Sequence, residues 1–500
     1  MVTAQGNFAH RRASVCRVLS SRVISIAVVS AVALGCKGTE PQTRAPAVPQ
    51  QRNYASVVIE DVPHVEQKPD FCGEAVTEMY LRKLGHDVDQ DDVFGVTGMD
   101  PGRGMGATTR ELKVALGRLG FDVGRVWYSA DARNPARDLE ARFAAMHEDL
   151  MRGVPSIVCT HYDDSPDTTE HFRLVLGYDA DSDEVIYHEP AEANASYRRM
   201  DRATFLALWP LKYDARSWTV IRFPLATDGV VAPAPASGHT AADFAQHVMA
   251  LKDKAPSGFT IVVEAPFVVI GNGSAQDVHR RAEQTVRWAV TRLKGDFFDR
   301  DPDRILDIWL FDDAASYDKY ARELFGDDPG TPYGYYSSSD GALVMNISTG
   351  GGTLVHEIVH PFIEANFPNC PAWFNEGLGS LFEQSSSRDG HIVGLTNWRL
   401  EGLQDAIDSD AVPSFKTLMS TTDRQFYDDD DGTNYAQARY LLYYMQERGL
   451  LVDFYREFHR NRRRDPTGYE TLKSVLGLED DQMPAFQRKW QRYVASLTFP

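Results

Sequence analysis

One segment divides this 500-residue chain more sharply than any other feature of its sequence. Between Ala226 and Thr240 the chain runs through Pro, Ala, Gly and Ser without the apolar spacing that a helix or a strand requires. The chain is also too long for a single hydrophobic core, because domains rarely exceed ~250 residues. We therefore predict two domains, at residues 57–225 and 241–500, joined by a linker at 226–240.

Composition and charge restrict the functions open to these domains. Hydrophobic residues make up 43% of the chain and charged residues 25%, as in ordinary globular proteins, which excludes a disordered, collagenous or multi-span membrane chain. The 71 acidic residues outnumber the 52 lysines and arginines, giving a net charge of −19. A surface this acidic offers no electrostatic basis for binding nucleic acid, so we expect no such partner.

The first 35 residues have the pattern of an export signal. Four arginines and no acidic residue accompany an apolar run of 13 residues that ends at Gly35, which is shorter than the ~20 residues needed to cross a bilayer. The last four residues up to Cys36, Ala-Leu-Gly-Cys, resemble the lipobox of bacterial lipoproteins, which implies lipidation of Cys36. We expect residues 1–35 to be a signal peptide and 36–56 a tether, with the protein anchored in the bacterial cell envelope and facing the periplasm or the surface. A simply secreted or uncleaved leader is the alternative.

The N-terminal half contains a cysteine at the expected start of a helix. Cys72 precedes a stretch in which apolar residues recur at helical spacing, and the dipole at a helix N-terminus stabilises a thiolate. Four strand patterns follow, at 155–159, 171–178, 184–190 and 218–223. A helix followed by antiparallel strands is an α+β plan. An inert core thiol is the alternative interpretation of Cys72.

Four polar residues follow one another in a suggestive order. Gln67 and Cys72 lie in Gln-Lys-Pro-Asp-Phe-Cys-Gly-Glu-Ala, His171 opens a strand pattern, and Glu189 precedes a proline. This order resembles the papain-like cysteine peptidases that remove double-glycine leaders from bacteriocins, and more closely their stand-alone relatives. The resemblance implies a papain-like fold in which Cys72 is the nucleophile, His171 the base and Gln67 a donor of the oxyanion hole.

The third group of this site departs from the family, which has Asp or Asn where this chain has Glu189. The group needs only to accept a hydrogen bond from Nδ1–H of the catalytic imidazole. We therefore expect Glu189 to bind Nδ1 of His171, so that Nε2 faces a low-pKa thiolate at Cys72. His161 and His188 are alternative partners of the thiol.

A second motif, His356-Glu357-x-x-His360, lies in the C-terminal half in an apolar context. Histidines four residues apart leave one face of a helix and can reach one Zn²⁺ ion, while Glu357, ~100° around the helix, can act on water. The next predicted helix offers Glu376 as a third ligand, and three protein ligands with one open position are typical of a catalytic zinc site. A satisfied histidine pair on a buried helix is the alternative.

Residues 259–486 resemble the gluzincin metallopeptidases, particularly compact members with Trp-Phe-x-Glu-Gly in the second helix. The resemblance implies a zinc site with His356, His360 and Glu376 as ligands. It further implies Glu357 as general base and Tyr435 as a group that stabilises the oxyanion.

Three structural expectations accompany this assignment. By the same resemblance, the strand at 341–347 is the sheet edge on which an extended peptide substrate lies. Pro361 lacks an N–H and disfavours helical geometry in the residue before it, so we expect a kink that ends the helix early. The acidic run from Asp428 to Asp431 lacks the alternating spacing of a calcium loop and is predicted to be a solvated turn.

The sequence as a whole predicts an α+β protein, with a papain-like cysteine peptidase domain followed by a gluzincin-like metallopeptidase domain. The predicted function is that of a cell-envelope lipoprotein peptidase that hydrolyses peptide bonds with a zinc-activated water and at a second, thiol-dependent site. Its predicted partners are a peptide or protein substrate and the membrane, reached through Cys36. Two alternatives stay open: a metallopeptidase with a degenerate, peptide-binding cysteine domain, and a non-enzymatic surface scaffold.

Overall fold

The computed structural model describes residues 54–233, 238–428 and 432–499. The predicted signal peptide, the lipidation site Cys36 and the tether up to residue 53 lie outside the described residues, as does most of the acidic run after Asp428. Where the chain is described, every helix is too short or too polar to cross a membrane. We call residues 54–233 the N-terminal half and residues 238–499 the C-terminal half.

The N-terminal half is built from seven strands and five helices. The strands are β1 (Val57–Val58), β2 (Trp127–Asp131), β3 (Ser156–His161), β4 (Glu170–Asp179), β5 (Glu184–His188), β6 (Arg198–Asp201) and β7 (Ser217–Pro224). The helices are α1 (Cys72–Lys83), α2 (Gln90–Thr97), α3 (Thr109–Arg118), α4 (Pro135–Leu150) and α5 (Arg202–Leu208). The strands form one sheet in the order β2-β7-β3-β4-β5-β6, with β1 paired to β4, and all described pairings are antiparallel.

Helices cover both faces of this sheet. Successive side chains of a strand point to opposite faces, so Phe172 and Leu174 of β4 pack against α1–α3, whereas Val175 packs against α4 and α5. The predicted strands and the helix after Cys72 are confirmed, and the half has the predicted α+β plan. The start of α1 thereby lies over β4, the strand that carries His171.

The C-terminal half contains a second sheet and most of the helices. Its strands are β8 (Thr260–Glu264), β9 (Phe267–Gly271), β10 (Leu306–Phe311), β11 (Gly334–Ser337), β12 (Ala342–Asn346), β13 (Ser385–Arg388) and β14 (His391–Gly394). Its helices are α6 (Ala241–Lys254), α7 (Ala275–Arg281), α8 (Trp288–Asp296), α9 (Ala314–Tyr320), α10 (Gly352–Asn366), α11 (Ala372–Phe382), α12 (Arg399–Asp408), α13 (Phe415–Met419), α14 (Asp423–Tyr427), α15 (Thr433–Gln446), α16 (Leu451–Asn461), α17 (Tyr469–Leu476) and α18 (Met483–Ala495).

The main sheet of this half is mixed, in the order β11-β12-β10-β9-β8. Strands β9, β10 and β12 are parallel, and the outer strands β8 and β11 run antiparallel to their neighbours. The prediction that 341–347 forms the sheet edge is wrong, because β12 is paired on one side with β10 and on the other with β11. The edge on the β12 side of the sheet is β11, a Gly-Tyr-Tyr-Ser segment with too little apolar alternation to be recognised in the sequence.

The expectation that Pro361 ends its helix early is also wrong. Helix α10 contains Pro361 and continues to Asn366. Proline removes one N–H from the helix, but Phe362 and Ile363, which follow it, are buried in the main apolar core of this half. Their packing retains the helical conformation beyond the proline.

Helix α6 connects the two halves through both of its sides. Phe244, Val248 and Leu251 pack against the mixed sheet. On the other side, Ala242 and Ala245 pack against Phe71, the residue before Cys72, and its stacked neighbour Phe94. Helix α6 therefore contacts the segment that carries the candidate nucleophile.

Candidate active sites

The structure brings the four polar residues of the N-terminal half to one end of the sheet. Cys72 is the first residue of α1, His171 lies on β4, and Glu189 directly follows β5, the neighbour of β4. The backbone N–H of Gln67 donates to the carbonyl of Pro190, at 2.8 Å, which ties the Gln67 segment to the residue after Glu189. Gln67, His171 and Glu189 thus lie together at this end, and Cys72 begins the helix that packs against Phe172 of β4.

Glu189 and His171 form the predicted pair, but through the other ring nitrogen. Nε2 of His171 donates to Oε1 of Glu189, so the expectation of an Nδ1 contact is wrong. Nε2 is the ring nitrogen farther from the backbone of His171. The side chain of Glu189, one methylene longer than that of Asp, reaches it from the end of β5. Nδ1 is then the ring nitrogen that is not bound to Glu189. Tyr162 packs edge-on against the ring, with 5.2 Å between ring centroids.

The two alternative histidines have other environments. His188 is fully buried and bound to backbone on both ring nitrogens: Nε2 lies 2.9 Å from the carbonyl of Val62, and Nδ1 accepts from the N–H of Tyr197. His161 ends β3, and its Nδ1 is buried without a hydrogen-bond partner among the described residues. Only His171 is paired with a carboxylate among these three.

Cys72 differs from the expected low-pKa thiolate. Burial raises the pKa of the Cys72 thiol to about 12, an effect that the backbone of Phe172 partly opposes and that the charges of Glu74 and Asp70 reinforce. Within the described residues, no hydrogen bond joins its sulfur to His171. The resting thiol is therefore neutral, and the helix N-terminus does not offset the loss of solvation.

Sequence reasoning missed Arg173, a second basic residue at this site. Its Nε donates to Oε2 of Glu189 at 2.7 Å, and its side chain is 5% exposed. Burial opposes ionisation of Glu189, but the hydrogen bond from His171 and the charges of His171 and Arg173 lower its pKa below the usual value. The sequence signal was the spacing His-x-Arg, which puts both side chains on one face of a strand.

The second site lies between α10 and α11, which approach each other closely. A Cβ at Gly379 of α11 would lie 3.0 Å from the imidazole of His356, and one at Gly352 would lie 2.1 Å from the carbonyl oxygen of Glu383. Glycine is required at position 352, where a Cβ would collide with backbone, and at position 379 a side chain would crowd the imidazole of His356. The contact directs His356 and His360 of α10 towards Glu376 of α11.

The donor atoms of these residues have the spacing of a metal site. Oε2 of Glu376 lies 3.2 Å from Nε2 of His356 and 4.0 Å from Nε2 of His360. Ligands ~2.0–2.1 Å from a tetrahedral zinc ion are about 3.4 Å apart, so the residues fit one ion. Glu357 also belongs to the cluster: one ligand atom each from His356, Glu357 and His360 lie within 4.8 Å of one another.

Three further side chains contact the proposed metal ligands, and the sequence analysis did not identify these three residues. Asn375 Oδ1 lies 2.9 Å from Nδ1 of His360, and Glu383 Oε1 lies 3.2 Å from Nδ1 of His356. Tyr427 donates to Oε1 of Glu376 at 2.8 Å. Glu383 is seven residues after Glu376, a spacing that places two side chains on the same side of a helix. The sequence therefore contained an indication of this contact. No sequence pattern indicated Tyr427, because its contact spans 51 residues.

The two carboxylates Glu376 and Glu357 have pKa values shifted in opposite directions. Burial disfavours the charged form of Glu376, but His360, His356 and Tyr427 lower its pKa to about 2. Glu357 lacks comparable hydrogen bonds, and burial raises its pKa despite the nearby histidines. Glu376 is therefore the firmly ionised group, as a ligand must be, while Glu357 is the carboxylate disposed to take up a proton.

An open cleft of about 1210 Å³ gives access to the cluster. His356, Glu357, His360 and Glu376 line it, together with the edge strand β11. Tyr435 also lines the cleft, with the guanidinium of Arg399 5.3 Å from its ring centroid. Its predicted role in stabilising an oxyanion stays a prediction.

Comparison with known proteins relates the two halves to different families. Residues 59–216 match the Peptidase_C39 like family, which supports a peptidase of the cysteine class in the N-terminal half. Residues 351–466, which contain α10, α11 and α15, match a family described as a protein of unknown function, DUF1570. No curated protein matches the chain.

A solved structure also aligns with part of the chain. It is the peptidase domain of Streptococcus ComA, described as a bifunctional ABC transporter involved in a quorum-sensing pathway. The alignment has 17% sequence identity and a TM-score of 0.22, and it covers 33% of this chain and 99% of that domain.

Proposed function

We propose that the C-terminal cleft is a zinc-dependent peptidase site. The observation that carries the proposal is the spacing of Nε2 of His356, Nε2 of His360 and Oε2 of Glu376, which suits three ligands of one ion at the floor of an open cleft. When bound, zinc supplies a Lewis acid that allows water to act as a nucleophile near neutral pH. The unpaired edge of β11 beside the cleft offers backbone groups to an extended peptide.

The residues of the chain divide the chemical tasks. His356, His360 and Glu376 bind the ion, and Glu383, Asn375 and Tyr427 orient them by contacts on their outer atoms. Glu357 accepts the proton of the attacking water and returns it to the leaving amine. Burial raises the pKa of Glu357, which favours uptake of a proton by this carboxylate.

Metal content and peptide hydrolysis by single variants test this proposal. Wild-type protein is expected to hold about one zinc per chain. His360→Ala should lose the metal, whereas Glu357→Gln should keep it and lose hydrolysis. Glu364→Gln is the matched control, since Glu364 lies on the same helix and lines the same cleft. A wild-type protein without metal, or a fully active Glu357→Gln variant, would refute the proposal.

We also propose a thiol-dependent peptidase site in the N-terminal half, supported by the family match at 59–216 and by the pairing of His171 with Glu189. Cys72→Ala should abolish hydrolysis that persists in the presence of a zinc chelator, and Cys159→Ser, which changes a core cysteine, should not. If no such hydrolysis exists but peptides still bind, the half is a degenerate binding module. If both sites are inactive, the chain is a binding scaffold.

For localisation we propose a lipid anchor on Cys36, supported by the Ala-Leu-Gly-Cys ending of an arginine-rich, apolar leader. Acyl chains contribute ~0.8 kcal/mol of membrane affinity per buried methylene, so a diacylated cysteine holds a protein firmly at a membrane. Mass spectrometry of the N-terminal peptide is the test. A chain that starts at Met1 without modification, or is released into the medium, would contradict the anchor.

A further inference from the structure

Glu189 is bound by two basic side chains rather than by histidine alone. His171 and Arg173 are two residues apart on β4, so their side chains leave the same face of the strand ~6.7 Å apart. Nε2 of His171 binds Oε1 of Glu189, and Nε of Arg173 donates to Oε2 at 2.7 Å. All three residues are buried, with at most 5% of their surface exposed. The carboxylate therefore has a separate partner for each oxygen.

The guanidinium group of Arg173 is itself held in place by the end of β3. Nη1 donates to the hydroxyl of Thr160 and, at 3.1 Å, to the carbonyl of His161. Nη2 donates to the carbonyl of Tyr162 at 2.8 Å. Each of its three nitrogens has an acceptor, so the planar group cannot rotate and presents Nε to Glu189 in one direction.

We propose that Arg173 is a positioning residue of the cysteine site, which holds Glu189 where its other oxygen meets His171. This explains why the chain has Glu where the family it resembles has Asp or Asn. A carboxylate at the end of β5 has to reach both basic groups, and Asp is shorter by one methylene, ~1.5 Å. The inference deepens the thiol-dependent part of the proposed function and rests on it.

The arrangement has a consequence for pH dependence. Glu189 is buried, which disfavours its charged form, and the bonds and charges of His171 and Arg173 lower its pKa. Tyr162 and Tyr187 also face the pair, each with its ring within 5.6 Å of the Arg173 guanidinium, but both are neutral near pH 7. Weakening the Arg173 contact raises the pKa of Glu189. The fall in the alkylation rate of Cys72 on acidification then begins at a higher pH.

The test compares Arg173→Lys with Arg222→Lys in the full chain. Lysine keeps the charge but loses the planar group. Arg222 is a matched control, because it is also buried and its Nη2 donates to Oδ2 of Asp149, at 2.6 Å, instead of to Glu189. The first readout is the alkylation rate of Cys72 against pH. The second is the imidazole ¹⁵N–¹H spectrum of His171.

Arg173→Lys is expected to lower the alkylation rate about tenfold at neutral pH, as for loss of one charge-assisted hydrogen bond, and to raise the pH at which the rate falls on acidification. The Nε2–H signal of His171 should weaken, while Arg222→Lys leaves both readouts unchanged. Glu189→Asp should behave like Arg173→Lys. Wild-type behaviour of Arg173→Lys or Glu189→Asp in both readouts would overturn the inference.

The two readouts also separate this inference from the proposed function. If wild-type Cys72 alkylates no faster than Cys159 and Cys370, the thiol-dependent function fails. The His171 spectrum does not depend on thiol reactivity and still decides whether Arg173 positions Glu189. A loss of Nε2–H in Arg173→Lys would then support positioning in an inactive site, and its retention would overturn it.

Discussion

Tyr427 provides a quantitative test of the metal site, because it touches a proposed ligand through one atom. Its hydroxyl donates to Oε1 of Glu376 at 2.8 Å, while Oε2 of the same carboxylate faces His356 and His360. Tyr427→Phe removes this hydrogen bond and leaves the ring in place. Glu376 then keeps its ligand oxygen but loses the contact that fixes its orientation.

The size of the effect follows from the environment of the bond. Hydrogen bonds to charged groups contribute ~1.5–3 kcal/mol. Tyr427 is 43% exposed, so water partly replaces the lost donor, and the lower end of this range applies. Since ~1.4 kcal/mol corresponds to a factor of ten in an equilibrium constant, we expect about tenfold weaker zinc binding. Outer contacts of metal ligands typically contribute ~10–100-fold, which agrees.

The assay is a zinc titration of metal-free protein in competition with a chromophoric chelator at fixed pH. Tyr336→Phe is the control, because Tyr336 lines the same cleft and donates to Glu364, at 2.9 Å, instead of to a proposed ligand. We expect the control to bind zinc like the wild type. Equal zinc affinity of Tyr427→Phe and wild type, or an equal loss in both variants, would refute the assignment of Glu376 as ligand.

Other predictions concern the N-terminal half. Gln246 of α6 donates to the carbonyl of Pro69 at 2.9 Å, so Gln246→Ala should change the alkylation rate of Cys72 severalfold; Lys252→Ala, which loses contacts only to the 103–104 backbone, should not. Burial raises the pKa of Glu74 from 4.5 to about 7, so the folded state retains a proton that the unfolded chain releases. The melting temperature should therefore fall as pH rises from ~5 to ~7, and Glu74→Gln should flatten this part of the profile.

Local patterns in the sequence were sufficient for the main elements of both sites. Apolar spacing located the helix that starts at Cys72, and it located α10 and α11 with their histidines and Glu376. Short strand patterns located four strands of the first sheet. These features depend on residues within one or two turns or along one strand, so the sequence contains the whole signal.

The predictions that the structure contradicts depend on contacts between segments that are distant in the sequence. The edge position of β11 depends on which strand pairs beside β12, and the persistence of α10 past Pro361 depends on the core around Phe362. The contact of Glu189 with Nε2 instead of Nδ1 depends on the reach of a side chain from one strand to the next. Periodicity and spacing do not encode these geometries.

The state of Cys72 is the physical quantity that separates the two interpretations of the N-terminal half. A thiol pKa of about 12, against 9 in solution, means that forming the resting thiolate costs up to about 4 kcal/mol more than in water. An active site has to offset this cost by transferring the thiol proton to Nδ1 of His171, whose charged form Glu189 stabilises. A binding module has no such requirement. Preferential alkylation of Cys72 at neutral pH, and its loss in His171→Ala, would thus show that the ion pair forms despite the burial, whereas alkylation that rises only in strongly alkaline solution would assign the half to binding.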